Sequence, residues 1–326
     1  MTSPPRTLSA SDAVPVVAVV GATASGKSEL AVELAVDLGG EIVNTDSMQL
    51  YRGMDIGTAK LPAGQRRGVA HHLLDVLDVT EPATVAQFQG WARAAIDDCR
   101  GRGVVPVLAG GSALYVRAVL DEFDFPGTDP AVRARLEADL AEHGPQSLHA
   151  KLTAVDPASA AQILSGNGRR LVRALEVIEI TGRPFTAALP AKVYAYHPAV
   201  QIGVDVPRAA LDERIAARVG RMWSAGFVDE VRRLERAGLR HGRTASRALG
   251  YAQVLAFLAG ECSEEAAHAA TVQATRRFAR RQEAWFKRDS RVTWVFYDDP
   301  KRTDAAKQII KVASFLELPD APGEAR

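Results

Sequence analysis

An α/β fold is predicted: a P-loop parallel sheet flanked by helices, with a helical insertion domain and a largely helical C-terminal part. Three observations carry it. Short apolar runs alternate with helix-period segments between Val16 and Leu108, the pattern of a parallel sheet covered on both faces. The stretch Gly21-Ala22-Thr23-Ala24-Ser25-Gly26-Lys27-Ser28 follows the first apolar run directly and matches G-x-x-x-x-G-K-[ST], a loop that joins a strand to a helix N-terminus. Strand signals then vanish between Asp129 and Thr181 and return at Gln201.

Each element follows from local signals. Val16–Val20 is short, apolar and β-branched, as a strand buried on both faces must be. Leu30, Leu34 and Leu38 recur at helical spacing, and Gly39-Gly40 stops that helix. Glu41–Asn44 is a second strand, followed by a long polar loop through Lys60. His72–Val76 reads as a third strand, and Val85–Arg100 as a helix ended by Gly101-Arg102-Gly103. Val104–Leu108 reads as a strand opening onto Ala109-Gly110-Gly111. Asp129-Pro130 starts a helix that Gly144-Pro145 breaks after His143; Asp156-Pro157 starts the next, and Arg169–Thr181 forms a third. Gln201–Val206 is a strand that rejoins the sheet. Helices follow over Arg208–Ala225, Val228–Ala237, Tyr251–Leu258 and Ser263–Lys287, then a strand over Val292–Phe296 and a helix over Asp304–Phe315. The expected division is 14–122 for the first part of the catalytic core, 123–199 for the insertion and 200–318 for the rest of the core. Met1–Ala13 and Pro319–Arg326 read as a disordered leader and a frayed tail.

Composition narrows the setting. With 47% apolar and 24% charged residues among 326, the chain is ordinary for a soluble globular protein with a full core. Cys99 and Cys262 are its only cysteines, which suits neither a disulfide framework nor a zinc site and points to a reducing, cytoplasmic location. No apolar run approaches the roughly 18 residues of a membrane span. The first residues lack the basic and apolar regions of a secretory signal, so no membrane partner is expected.

The P-loop states the chemistry. Its backbone N–H groups and the positive end of the following helix dipole seat phosphate oxygens. Lys27 reaches the outer phosphates and Ser28 holds Mg²⁺, so the chain is expected to bind a di- or triphosphate. Asp46, after the second strand, faces the reacting centre, and three roles stay open for it: general base, Mg²⁺-associated residue or helix cap. Asp55 and Lys60 either touch phosphate or Mg²⁺ or belong to a turn. Ser112 is either a second oxyanion or diphosphate contact or an N-cap. The strand ending in Ala109-Gly110-Gly111 lacks the acidic residue of a Walker-B strand, which speaks against an ATP-hydrolysing motor.

Arg169, Arg170 and Arg173 open one insertion helix. Arg276, Arg277, Arg280, Arg281, Lys287, Arg288 and Arg291 are opposed only by Glu283 and Asp289, which makes either a solvated face or an RNA-binding stripe. Phe278, Trp285 and Phe286 are expected to pack inward. Arg214 and Arg218 share a helix face, and one of them reaches back to the phosphate site. No histidine is assigned to catalysis, and His71-His72 are not spaced for a metal. Competing readings are a P-loop small-metabolite kinase and an RNA-binding NTPase switch.

Taken together, the motifs resemble those of the tRNA dimethylallyltransferase family. They are the P-loop, Asp46-Ser47-x-Gln49-x-Tyr51, Met54-Asp55-Ile56-Gly57-Thr58-Ala59-Lys60, Gly110-Gly111-Ser112-x-Leu114-Tyr115, Arg170-x-x-Arg173-Ala174-Leu175-Glu176-Val177, Arg214-x-x-x-Arg218 and Leu249-Gly250-Tyr251. The resemblance runs from about Val16 to Phe315. It implies transfer of a dimethylallyl group from dimethylallyl diphosphate to the exocyclic amine of the adenosine 3′ to the anticodon, in tRNAs that read codons beginning with U. In this family the P-loop, Gly21 to Ser28, holds the donor's diphosphate rather than ATP. Asp46 is implied as the base, Arg218, Lys27 and Ser28 as catalytic groups, and Mg²⁺ at Ser28 as the cofactor. Contacts to the tRNA are implied for Asp46, Ser47, Met48, Gln49, Ser112, Arg169, Arg170, Arg173, Arg247, Gly250 and Tyr251. The insertion is implied to clamp the anticodon stem-loop, the target base to flip out of its stack, and the enzyme to act as a monomer.

Overall fold

A computed structural model describes residues 14–123, 125–185 and 191–316; the expected leader and tail lie outside the described residues. Among the described residues six strands occur: β1 (Val16–Val20), β2 (Glu41–Asn44), β3 (His71–His72), β4 (Pro106–Gly110), β5 (Ala199–Asp205) and β6 (Val292–Phe296). They form one parallel sheet in the order β3-β2-β4-β1-β5-β6. Every β1 residue is inaccessible to solvent, which explains its unbroken apolar sequence. Val16, Ala18 and Val20 point to one face of the sheet, Val17 and Val19 to the other.

The first face is covered by α2 (Val85–Gly101), α3 (Ala113–Leu120), α8 (Phe227–Arg236) and α9 (Tyr251–Leu258), through Phe88, Val116, Phe227 and Tyr251 among others. The second is covered by α1 (Lys27–Leu38) and α11 (Arg302–Leu316), with Leu211 and Ile215 of α7 (Arg208–Ser224) packed alongside. Parallel strands gather the carboxyl ends of β1, β2 and β4 on one edge, where open α/β sheets hold their ligands.

Boundaries shift by a residue or two at several elements, and three differences from the sequence-based expectation have a clear local reason. The third strand shrinks to His71–His72 because Leu73 and Asp75 take left-handed backbone, φ 62° and 58°. The chain there bonds instead to Gln49 and Leu50, through Asp75 N–H at 3.4 Å and Val76 N–H at 2.8 Å. β4 starts at Pro106 rather than Val104 because the Val104 N–H still donates to Cys99, closing α2. The helix expected to end at His143 kinks at Gly144, φ 76°, and resumes, so α4 spans Pro130–Val155.

Two compact units emerge: the sheet unit, which ends its first pass at Asp121 and resumes at Tyr194, and a unit over Glu122–Val193. The second consists of α4, α5 (Pro157–Gln162) and α6 (Gly168–Thr181). Its core is Leu136, Leu148, Leu152, Ile163, Leu171 and Val172. Asp129 caps α4 by accepting the N–H groups of Ala131 and Val132, and Asp156 caps α5 by accepting that of Ser159.

Glu176 of α6 is wholly buried in this unit. Burial pushes its carboxyl up, but hydrogen bonds from Arg133, Thr128 and Arg173 outweigh that and hold it down at about 2. Glu176→Ala leaves two guanidinium groups without their carboxylate and is expected to destabilise this unit by about 2–3 kcal/mol, discounted for the partial exposure of both arginines. The native carboxyl titrates lower than an unfolded one near 4.5. Its contribution is therefore complete above pH 4.5 and drains away as the pH falls toward 2. Amide hydrogen exchange along α6 should accelerate in that window in the wild type, and at neutral pH in the variant.

Candidate active site

The P-loop sits between β1 and α1, as its sequence requires. Gly26 takes φ 94°, the left-handed conformation that glycine adopts without penalty, so that Lys27 can begin the helix. Ala24 also lies in the left-handed region, φ 64°, a strained position for a residue with a Cβ and one that clusters at functional sites. Two distant side chains hold the loop. Arg214 of α7 donates to the Ala24 carbonyl at 2.8 Å while lying over the Tyr297 ring. Gln282 of α10 (Glu264–Phe286) accepts the Thr23 N–H at 2.9 Å and donates to the Gly111 carbonyl at 2.8 Å, tying the P-loop to the end of β4. Nothing in the sequence pattern singles out Gln282 within its arginine-rich helix.

An open cleft, about 620 Å³ with the solvent space it includes, lies beside the loop. Lys27, Ser28, Asp46, Asn44 and Arg218 are among the residues that line it, together with Val32, Ile42, Leu61 and Leu74. Desolvation and the neighbouring Arg218 pull Lys27 down to about 8, with Asp46 opposing. Desolvation also lowers Arg218, with Asp46 again opposing. Two cations thus face one carboxylate, and the balance favours a bound anion.

Asp46 is rigidly presented. Its N–H donates to the Asn44 side-chain oxygen at 2.9 Å, and one of its carboxylate oxygens accepts the Met48 N–H at 2.9 Å. The Asn44 amide in turn donates to the carbonyls of Asp46 and Leu73. Ser28 and Asp46 offer hard oxygen donors to the same cleft, a donor set that fits Mg²⁺.

Several expected site residues lie elsewhere. Of the Arg214/Arg218 pair, Arg218 reaches the cleft and Arg214 supports the loop. Gln49 lines the cleft and donates to the Thr58 carbonyl at 3.2 Å. Ser47 and Met48 form the turn after Asp46, and Ser112 takes the N-cap position of α3 without bonding the helix through its hydroxyl. Lys60 is buried, donating to the Tyr51 carbonyl at 3.0 Å and to Asp55 and Asp75 at 2.7 and 2.6 Å. Gly250 precedes α9, Tyr251 is fully buried, and Arg247 is exposed. Arg169 and Arg170 are exposed on α6, and Arg173 donates to the Pro126 and Gly127 carbonyls.

On α10 and beyond, Arg277, Arg280 and Arg281 are exposed, whereas Arg276 pairs with Asp212 and Arg291 with Asp121 and Asp289. Phe286 packs inward as expected, but Trp285 is 40% exposed, one turn from Arg281 on the helix surface. His72 does approach two metal-ligand types, Glu41 at 2.7 Å and Cys99 at 3.9 Å. The Arg102 guanidinium takes the same Glu41 carboxylate and holds it down at about 2, so the cation of this cluster is an arginine.

This chain is similar to known proteins in sequence and fold. A family model described as IPP transferase matches residues 49–289. A protein of Thermobifida fusca named tRNA dimethylallyltransferase is 66% identical over 300 residues, 90% of this chain and 94% of its own. Its namesake in Nocardioides sp. is 63% identical over 296 residues, 91% and 96% of the two chains. The crystal structure of a tRNA isopentenylpyrophosphate transferase of Bacillus halodurans is 38% identical, with a TM-score of 0.69 covering 93% of this chain and 97% of the other. On that breadth of match, the chain belongs to the IPP transferase family.

Proposed function

We propose that this enzyme transfers a dimethylallyl group from dimethylallyl diphosphate to the exocyclic amine of the adenosine 3′ to the anticodon, in tRNAs reading codons that begin with U. The observation that carries the reading is the cleft beside the P-loop, where the Lys27 and Arg218 cations meet the Asp46 carboxylate in a chain of the IPP transferase family. The family match over residues 49–289 speaks against a small-metabolite kinase.

The donor's diphosphate lies on the P-loop amides with Lys27 and Arg218, and its isoprenoid tail needs a dry, apolar surface, for water would compete for the allylic carbon; Val32, Ile42, Leu61 and Leu74 are the apolar residues of the cleft. The adenine nitrogen attacks that carbon. A C–N bond forms, the C–O bond breaks, and the diphosphate departs with the electron pair. Lys27 and Arg218 stabilise the charge that develops on it. The amine proton passes to the Asp46 carboxylate, since an aromatic amine is too weak a nucleophile to keep it as the bond forms. Mg²⁺ held at Ser28 would supply further charge neutralisation to the diphosphate. The acceptor adenosine must leave its stack to reach the cleft.

We assign the exposed Arg169 and Arg170 of α6 to the tRNA anticodon stem-loop and, separately, the exposed Arg277, Arg280 and Arg281 with Trp285 to tRNA. Affinity for tRNA should therefore fall linearly with salt on logarithmic axes, with slope near −0.7 to −0.9 per phosphate contacted. A flat dependence would remove the basic clamp. No helix among the described residues is long and apolar enough to cross a membrane. Two free thiols, Cys99 and Cys262, suit the cytoplasm, and we read the enzyme as acting there as a monomer.

The test is a transfer assay with Mg²⁺, labelled dimethylallyl diphosphate and total tRNA, followed by digestion to nucleosides. Label on adenosine from tRNA but not from free AMP is the expected result. No label, with ATP-dependent phosphorylation of a metabolite pool, would establish the kinase instead.

A further inference from the structure

Glu230 of α8 lies outside the cleft and is almost wholly buried, yet its carboxylate accepts four hydrogen bonds. Three come from successive backbone N–H groups of one loop: Asp55 at 3.1 Å, Ile56 at 2.7 Å and Gly57 at 3.2 Å. The fourth comes from the Tyr251 hydroxyl at 2.6 Å. The loop is pressed onto the aromatic pair beneath it, for a Cβ on Gly57 would meet the Phe227 ring at 2.2 Å and the Tyr251 ring at 2.6 Å. One residue further along, the Thr58 carbonyl turns toward the cleft. It accepts Gln49 at 3.2 Å and lies 3.5 Å from Arg218, two of the residues that line the cleft.

A carboxylate in a core is a costly way to gain stability, since apolar side chains of similar volume pack as well or better. What it supplies is direction: a fixed acceptor dictates where three consecutive amides sit. We infer that Glu230 is a positioning residue, which sets the Asp55–Thr58 loop so that the Thr58 carbonyl aims the Arg218 guanidinium at the diphosphate. This extends the reading of Arg218 as a diphosphate ligand and rests on it. Tyr251 then acts from the interior, by holding Glu230.

The test uses the full chain and inorganic pyrophosphate, whose binding calorimetry measures without any acceptor. It therefore reads the same whether or not the transfer assay succeeds, and the transfer assay alone decides the reaction. Glu230→Gln keeps the volume and removes the charge. It should weaken pyrophosphate binding on the order of tenfold, as should Arg218→Lys, and the double variant should be no weaker than Arg218→Lys within about twofold, because both act through one group. Tyr251→Phe, which retains the packing, should weaken binding a few-fold and show the same non-additivity. That variant carries the test if Glu230→Gln does not fold. Multiplicative losses would show that Glu230 supports the fold alone and overturn the inference. So would unchanged binding in both Glu230→Gln and Tyr251→Phe.

Discussion

Asp46→Ala is expected to abolish dimethylallyl transfer, lowering kcat by about 10²–10⁴-fold, the range attributed to a positioned general base. Inorganic pyrophosphate should bind at least as tightly as to the wild type. The two halves of that expectation come from the same geometry. The carboxylate is fixed by the Met48 N–H and by the Asn44 bracket at the mouth of the cleft, where a proton acceptor is needed. It is also the anion that Lys27 and Arg218 already face, so its removal frees both cations for the diphosphate. Asp46→Asn preserves the turn but cannot take a proton, and should be nearly as inactive. The other roles predict different results. A cap would cost stability and spare kcat, and a metal ligand would be partly rescued by excess Mg²⁺. Unchanged turnover in the alanine variant would remove Asp46 from the reaction.

The donor half of the site was legible from sequence because its parts are contiguous. A strand, a glycine-rich loop and a helix start occupy Val16 to Ser28 without a break. The sheet was legible for the same reason, since a strand buried on both faces must be apolar throughout, as β1 is. Elements set by distant partners were not. The residues after His72 look like a strand but are drawn into left-handed turns that bond to Gln49 and Leu50. Lys60 carries the charge of a phosphate ligand, and only the fold shows it answered by Asp55 and Asp75. Gln282 and Glu230 are separated from the segments they hold by 259 and about 174 residues, and no local periodicity reports a hydrogen bond of that span. Trp285 faced outward against the expectation that it packs inward, because the inward-facing positions of α10 near it are taken by Gln282 and Phe286.

Lys27→Ala is expected to lower kcat/KM for the donor by about 10²–10³-fold, the loss typical of removing one donor aimed at developing charge. The same substitution should make the protein free of ligand more stable at neutral pH. Lys27 titrates at about 8 in the folded chain, against 10.5 for an unperturbed lysine. Below pH 8 the folded state therefore carries a cation that the cleft disfavours. Between pH 8 and 10.5 the unfolded chain binds more protons than the folded one, so wild-type stability should rise with pH through that window. The alanine variant has no such rise. Diphosphate reverses the ranking, because a bound anion turns the disfavoured cation into a partner. Pyrophosphate should raise the melting temperature of the wild type well beyond that of the variant. Donor kcat/KM in the wild type should fall as the pH climbs past about 8, where free Lys27 loses its proton, and that limb should be missing from the variant's profile. A variant less stable than the wild type at pH 7 without ligand would mean that Lys27 serves the fold. An unaltered high-pH limb would assign that titration to another group.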